Sequence, residues 1–383
     1  MRAPAQQPIT RQQAIDAAIA RGPRVLAAFA DTALARGQLT TARAWQNPTV
    51  TGEYTKSPPQ RHLSMELPLD FPWLRAARVG AARFAVDASR YRFALERARA
   101  RFDADTSYTR AQAAATHADI ARRLALEADT LVRMTVIRRD AGDASELDVL
   151  LATVSAGQLV NDAARDSVEA VSTLLNLQLV MGLDADTILI ALADSLATPA
   201  DTVVATPGST LAVLAAQADL ASGERALSLE RRAFLPAPNL IAGVETGDPS
   251  GLEGGLLPIV GFSIPLPLLN RNRGPLAVAR ANRDRAFAKL ALARRESAEQ
   301  VARAARERAS ALVRAERGRL LVESAYRITG MSRRAYLEGA SGFAAVLESR
   351  RNAREALGRY VDDLAAANIA EAALRLALTV EAP

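Results

Sequence analysis

The chain has 383 residues, nearly half of them apolar, yet aromatics make up only 4% and alanine dominates the apolar set. Such a composition favours long, closely packed helices over a thick globular core, because alanine has the highest helix propensity and buries little area. The net charge of +6 is carried almost wholly by arginine, since Lys56 and Lys289 are the two lysines. The 48 basic residues are interleaved with 42 acidic ones, as in Arg92–Arg101 (RFALERARAR), which argues for solvated helix faces and against a nucleic-acid surface. The absence of cysteine excludes a disulfide framework, a thiolate metal site and a lipid-anchored cysteine in this stretch. No apolar run reaches the length of a membrane-spanning helix. Residues 1–8 (MRAPAQQP) have no apolar core, so the leader of an exported chain would lie upstream of this numbering.

The chain is written twice. At a constant offset of 197 residues Gly142 falls on Gly339, Val149-Leu150 on Val346-Leu347, Leu177 on Leu374, and Leu67-Pro68-Leu69 on Ile264-Pro265-Leu266. Further upstream the register drifts, with Pro48 best set against Pro238. The pattern predicts a first repeat over 1–182, a connector over 183–209 broken by Pro199, Pro207 and Gly208, and a second repeat over 210–383.

In chain order, each repeat opens with a helix and continues into two extended segments. Thr49 to Lys56 alternates, with Thr49, Thr51, Glu53 and Thr55 on one side and Val50, Gly52 and Tyr54 on the other. Leu63-Ser64-Met65-Glu66-Leu67 does the same. Strands are expected at about 48–56 and 61–69, and in the second repeat at about 238–247 and 258–267, with loops over 57–61 and 247–258. Trp45, Phe71 and Trp73 flank the first hairpin at its helix-proximal end, as a membrane-interface belt or a buried cluster at the junction. Proline punctuates the strand–helix junctions at 68 and 72, 236 and 238, and 265 and 267.

Long helices follow. No proline lies between Pro72 and Pro199, or between Pro275 and Pro383. Leu74 to about Arg139 reads as one helix of about 65 residues, close to 100 Å at 1.5 Å per residue. A turn at Gly142, Asp143 and Ser145 leads into a second helix to about Met181. The other repeat gives Leu276–Leu337, a turn at Gly339-Ala340-Ser341-Gly342, and Phe343 to about Thr379. Leu147, Leu150, Leu151, Val154, Ala164, Val168, Val171 and Leu175 step by threes and fours, as in a coiled-coil seam.

Four strands do not close a barrel, whereas three chains of four strands make twelve, which do. Strands of about nine residues suit a tilted crossing of the hydrocarbon layer, apolar side to lipid and Thr, Ser and Glu to a wet lumen. Glu53, Glu66 and Glu245 are candidate liners.

With the twofold repeat, the Asn47-Pro48 and Pro238-Asn239 strand starts, the Pro68 and Pro265 strand ends, and the turns GDASELDVL (142–150) and GASGFAAVL (339–347), the chain resembles the TolC family of outer-membrane efflux proteins over nearly its whole length. Its length and missing anchor cysteine are closer to the CzcC-like branch. The resemblance implies a mainly α fold with β, trimeric, with a 12-stranded β-barrel in the Gram-negative outer membrane and an α-helical barrel in the periplasm. It implies partners in a periplasmic adaptor (membrane fusion) protein, an inner-membrane pump of the resistance–nodulation–division type and outer-membrane lipid, and a passive, non-enzymatic role exporting small molecules or metal cations. The helical hairpin tips then meet the adaptor, through Gly142, Asp143, Ser145, Gly339, Ser341 and Gly342, and narrow the pore. Asp148, Glu348, Asp140 and Glu338 are candidate gate residues, as acidic rings or as residues that cap and charge-balance the turns, with capping favoured for Asp143 and Ser145. The two histidines, His62 in an expected loop and His117 mid-helix, form no catalytic or metal signature, and no cofactor or nucleic acid is expected. The competing reading is a soluble coiled-coil scaffold or periplasmic adaptor; it gives no reason for strand alternation in both halves.

Overall fold

A computed structural model describes residues 8–57, 59–183, 190–199, 209–233, 238–247, 255–264 and 272–379. Part of the expected connector (184–189 and 200–208), the end of the last expected strand (265–267), most of the 247–258 loop, and Pro236, Pro265 and Pro267 lie outside them. The elements are α1 (Arg11–Arg21), α2 (Pro23–Arg43), β1 (Thr49–Tyr54), β2 (Arg61–Pro68), α3 (Pro72–Asp140), α4 (Glu146–Val180), α5 (Leu211–Arg232), β3 (Asn239–Thr246), β4 (Leu257–Ser263), α6 (Arg273–Leu337) and α7 (Phe343–Leu378). Their starts follow local chemistry. Thr10 and Gln13 form a capping box at α1, and α2 and α3 each begin on a proline, whose missing N–H costs nothing at the first helical position. Among the described residues no helix is long and apolar enough to cross a membrane.

The chain forms two compact units, and each draws on both sequence repeats. One comprises Met1–Ala27, Leu95–Thr210 and Glu296–Glu381. Its centre is the fully buried Tyr108 with Ala14, Ala111, Leu177, Met181 and Ile190. The Tyr108 hydroxyl donates to the Ile9 carbonyl at 2.8 Å. The Arg11 guanidinium donates to Asp105 and Gln112, both at 3.0 Å. The visible part of the connector is thus held in place: Leu192 bridges to Ile9, the Arg11 amide donates to Asp194 at 2.7 Å, and Asn368 donates to the Ala197 carbonyl at 2.8 Å. Tyr108, Asp105, Gln112 and Asn368 are each hydrogen-bonded, which is what makes a polar core tolerable.

The helices of this unit pack through small side chains. α3 meets α7 through Ala113 and Ile120 against Val361 and Ala365, with Leu124 and Leu357 packed alongside. α4 is tied to α7 by Arg354–Asp162 at 2.7 Å, and α6 to α7 by Arg314–Asp363 at 3.0 Å and by Arg308 on the buried Glu371. The seam read on α4 has a different location from the chain's own packing. Val149, Ala152, Leu177 and Gln178 are the buried side of α4, whereas Leu147, Leu150, Val154, Val168, Val171 and Leu175 are exposed, Val168 by 71%. The spacing of threes and fours marks a stripe, but which neighbour covers it is not a property of spacing.

The other unit comprises Ala28–Ala94 and Leu211–Arg295. It holds one four-stranded antiparallel sheet of order β1-β2-β3-β4, so the hairpin of each repeat pairs with the other through β2 and β3. β4 starts at Leu257, so Pro258 lies inside it and not in the preceding loop. It sits on an edge strand, where proline removes no central ladder bond.

Candidate functional site

Cross-strand partners lie on the same face of a sheet, so the register divides the side chains into two sets. One set runs Val50, Met65, Ala242, Val260, with rows Gly52, Leu63, Val244, Pro258 and Leu67, Leu240, Phe262 beside it. The other runs Thr49, Glu66, Ile241, Gly261; then Thr51, Ser64, Gly243, Ile259; then Glu53, His62, Glu245, Leu257. The apolar set is the exposed one: Val260 is 81%, Phe262 75% and Val50 64% accessible. On β2 the alternation is strict, with Leu63, Met65 and Leu67 exposed and His62, Ser64 and Glu66 half-buried. A sheet solvated by water puts its apolar face inward. This one is inverted, and a continuous apolar face of this kind is stable against hydrocarbon and not against water.

The three aromatics collect at the base of the first hairpin. Phe71 and Trp73 stack with centroids 4.4 Å apart, and the Arg75 guanidinium lies 4.8 Å from the Trp45 ring centre. Trp45 and Trp73 are exposed, by 64% and 55%, and Phe71 is half-buried. Asp70 organises the junction and carries no signal in the sequence pattern. Its buried carboxylate accepts from Arg78 at 2.7 Å and faces Arg75 at 3.8 Å. The same two arginines donate to the Arg43 and Ala42 carbonyls at the end of α2, at 2.8 and 3.1 Å. Cations at a helix C-terminus satisfy its free carbonyls and its dipole.

The helical hairpin tips are built on the repeat. At the end of α3 the amides of Gly142 and Asp143 donate to the carbonyls of Arg139 and Arg138, at 2.9 and 2.8 Å. At the end of α6 Gly339 and Ala340 donate to Tyr336 and Ala335, at 3.1 and 2.8 Å. Both are Schellman turns, and they require the positive φ that Gly142 (85°) and Gly339 (73°) adopt. The returning helices differ. Ser145 caps α4 and forms a capping box with Asp148, whose carboxylate accepts from the Ser145 amide at 3.1 Å. Gly342 caps α7 without a side-chain bond, Ala345 standing where Asp148 does.

The gate candidates therefore have distinct surroundings. Asp148 is engaged in its cap. Asp140 and Glu146 share Arg139, at 2.8 and 3.1 Å, and these bonds push the Arg139 guanidinium further up. Glu338 and Glu348 are exposed, as are Asp143, Gly142, Gly339 and Gly342, with Ser341 half-buried. No bond among the described residues joins Asp140, Asp148, Glu338 and Glu348 to one another. What does unite the tips is apolar. Phe343 and Val346 of the second repeat pack with Tyr336 on Leu131 and Ala152 of the first. Arg138 covers the Tyr336 ring at 4.6 Å and donates to its carbonyl at 3.3 Å.

The sheet thus has an exposed apolar face and a polar face opposite it, and the longest helices run 69 and 65 residues. Residues 208–380 match the outer membrane efflux protein family. The fold is similar to that of a membrane protein from Pseudomonas aeruginosa (20% identity, TM-score 0.81, covering 96% of this chain and 93% of that one). It is similar too to the Campylobacter jejuni CmeC outer membrane channel (15%, 0.82, 96% and 85%) and to the Neisseria gonorrhoeae MtrE outer membrane channel (16%, 0.76, 96% and 88%). No curated protein matches the chain. The family match covers the second half of the chain, and the fold is shared with these membrane proteins over 96% of its length.

The fold places both histidines in regular structure. His62 lies in β2 rather than in a loop, because the ladder with β3 continues to Arg61. His117 on α3 bonds Asp362 of α7 at 2.9 Å and lines an open groove of about 540 Å³ with Arg110, Asp166 and Glu169. No cluster of metal-ligating side chains occurs among the described residues.

Proposed function

We propose that the chain is the outer-membrane component of a tripartite efflux system: a homotrimer that works with a periplasmic adaptor and an inner-membrane pump, and through which cargo passes without chemistry. The observation that carries this is the inverted sheet. Its apolar face is exposed along all four strands, and its polar face bears Thr51, Ser64, Glu53, His62, Glu66 and Glu245. Lipid on one side and a wet lumen on the other satisfy both faces at once. The exposed Trp45 and Trp73 at the hairpin base suit the membrane interface.

The internal repeat supports the trimer and names its helical seam. Offsetting α3 by 197 residues gives α6, and α7 offset backward gives α4. Leu357, Val361 and Ala365 of α7, packed on Ala113, Ile120 and Leu124 of α3, thus have repeat mates in Val160, Ala164 and Val168 of α4 and in Ser310, Arg317 and Leu321 of α6. All six of those mates are exposed. A second copy placed so that its α4 meets this chain's α6 repeats the internal contact and covers both stripes. The repeat boundaries at 1–182 and 210–383 are the sequence form of this symmetry, and a heterologous contact of this kind closes into a ring. The tips around Gly142 and Gly339 are the surface offered to the adaptor, with Glu338 and Glu348 as the acids facing the entrance. Cargo is set by the pump; a resistance–nodulation–division pump and metal-cation or small-molecule cargo follow from the CzcC-like resemblance.

The test is reconstitution. Purified protein extracted in detergent conducts in planar lipid bilayers and runs as a trimer by light scattering. A chain that stays soluble and monomeric without detergent rejects the proposal.

A further inference from the structure

The polar face holds one feature that a passive wall does not need. His62 sits in the middle of a cross-strand row, directly opposite Glu53 on β1 and Glu245 on β3. Its Nδ1 lies 2.9 Å from Glu245 Oε1, and its Nε2 lies 3.3 Å from Thr55 Oγ1. A carboxylate oxygen only accepts, so Nδ1 carries a proton there. The Thr55 hydroxyl also lies within donating distance of the Ser57 and Pro59 carbonyls, at 2.8 and 3.2 Å. Nε2 donates to Thr55 Oγ1 when the ring is charged and accepts from it when the ring is neutral. Only the imidazolium donates from both nitrogens.

The charged groups around this ring are few. β1 contributes Glu53, β3 contributes Glu245 and the β1–β2 turn contributes Lys56. Leu257, the β4 residue in the same row, carries none, and Glu66 further along β2 is bonded to Asn239 at 2.6 Å.

We infer that His62 is a charge-switching selectivity residue of the lumen: protonated, it offsets one of the two glutamates in its row, and neutral, it leaves both uncompensated. The inference rests on the polar face being the lumen wall. Histidine changes charge between about pH 5 and 8. With Glu53 and Glu245 ionised, the row carries one net negative charge per chain at the acid end and two at the alkaline end. Copies brought around a common lumen multiply the change, and a ring of acidic groups favours cations. Cation preference accordingly rises with pH. Loss of the second proton also frees Nε2 to accept, which draws the Thr55 hydroxyl away from the Ser57 and Pro59 carbonyls.

The experiment is the reversal potential of the reconstituted channel in a KCl gradient, from pH 5 to pH 8. The wild-type cation-over-anion permeability ratio rises about twofold, in step with the doubled charge of the row. His62→Asn removes the slope, and His62→Lys, which keeps a donor toward Glu245, holds the ratio low at every pH. A flat wild-type profile, or an unchanged slope in either variant, overturns the inference while leaving the channel intact. Absence of any wild-type conductance instead overturns the channel reading on which it stands.

Discussion

Two tight turns, each made by a few residues, carry the tips. Gly142 and Gly339 hold positive φ because the Schellman turn needs it, and an alanine there adopts that conformation at a cost of about 1 kcal/mol. Ser145 supplies the hydroxyl half of the α4 capping box. Ser145→Ala is expected to cost about 1 kcal/mol and to raise amide exchange across Glu146–Val149, while Ser341→Ala, at the position before the other cap, leaves the matching start of α7 unchanged. These residues were legible in the sequence because glycine, serine and acid at fixed offsets are local chemistry. Asp148 was legible as an acid at the tip, but the capping bond that engages its carboxylate depends on backbone geometry at Ser145. Asp70, Arg75 and Arg78 were not legible. Their pairing joins a strand end to a helix end, and nothing in composition or periodicity announces it.

At the scale of the element, the strands and long helices follow from period and punctuation. Alternation over Thr49–Tyr54 and Leu63–Leu67, and proline-free stretches of helix formers, leave little room for other structure. Which sheet face meets which medium follows only from the fold, because alternation is the same whether the apolar side faces a core or lipid. The exposed apolar face makes a directional prediction. Val260→Arg, on that face, costs about 2–4 kcal/mol at mid-bilayer depth and lowers the recovery of folded, heat-modifiable protein in detergent. Thr51→Arg, on the polar face, keeps recovery and shifts ion selectivity toward anions. Equal loss of folded protein from both substitutions contradicts the assignment of faces. The α4 stripe shows the same limit. Its spacing promised a partner, and the chain packs the opposite side of α4 on its own helices, leaving Val160, Ala164 and Val168 exposed.

For the whole molecule, the repeat predicts contacts that a single chain does not contain. Ala113 and Ala365 belong to one packed cluster, and their mates are Ser310 and Val168. The chain has no cysteine, so Ser310→Cys with Val168→Cys is a clean pair. Oxidation is expected to give a closed, covalent trimer on denaturing gels, with each single variant remaining monomeric. The pair within one chain does not cross-link if the seam is intermolecular, so dilution in detergent before oxidation reduces the yield. Failure to cross-link in the assembled protein removes the proposed α4–α6 contact.

The sequence by itself determined the elements, the repeat, the two-faced strands and the family resemblance, because these rest on local propensity, on periodicity and on the order of turn residues. Tertiary structure decided the rest. It showed that the two hairpins join into one sheet through β2 and β3, that the apolar face of that sheet is the exposed one, and that α4 turns its leucine and valine stripe outward. It also placed His62 between two glutamates, one nine residues before it in the chain and one 183 residues after it. The physical reason is common to all four. Each is a pairing across long sequence separation, and a side chain carries no local record of the neighbour that folding brings to it.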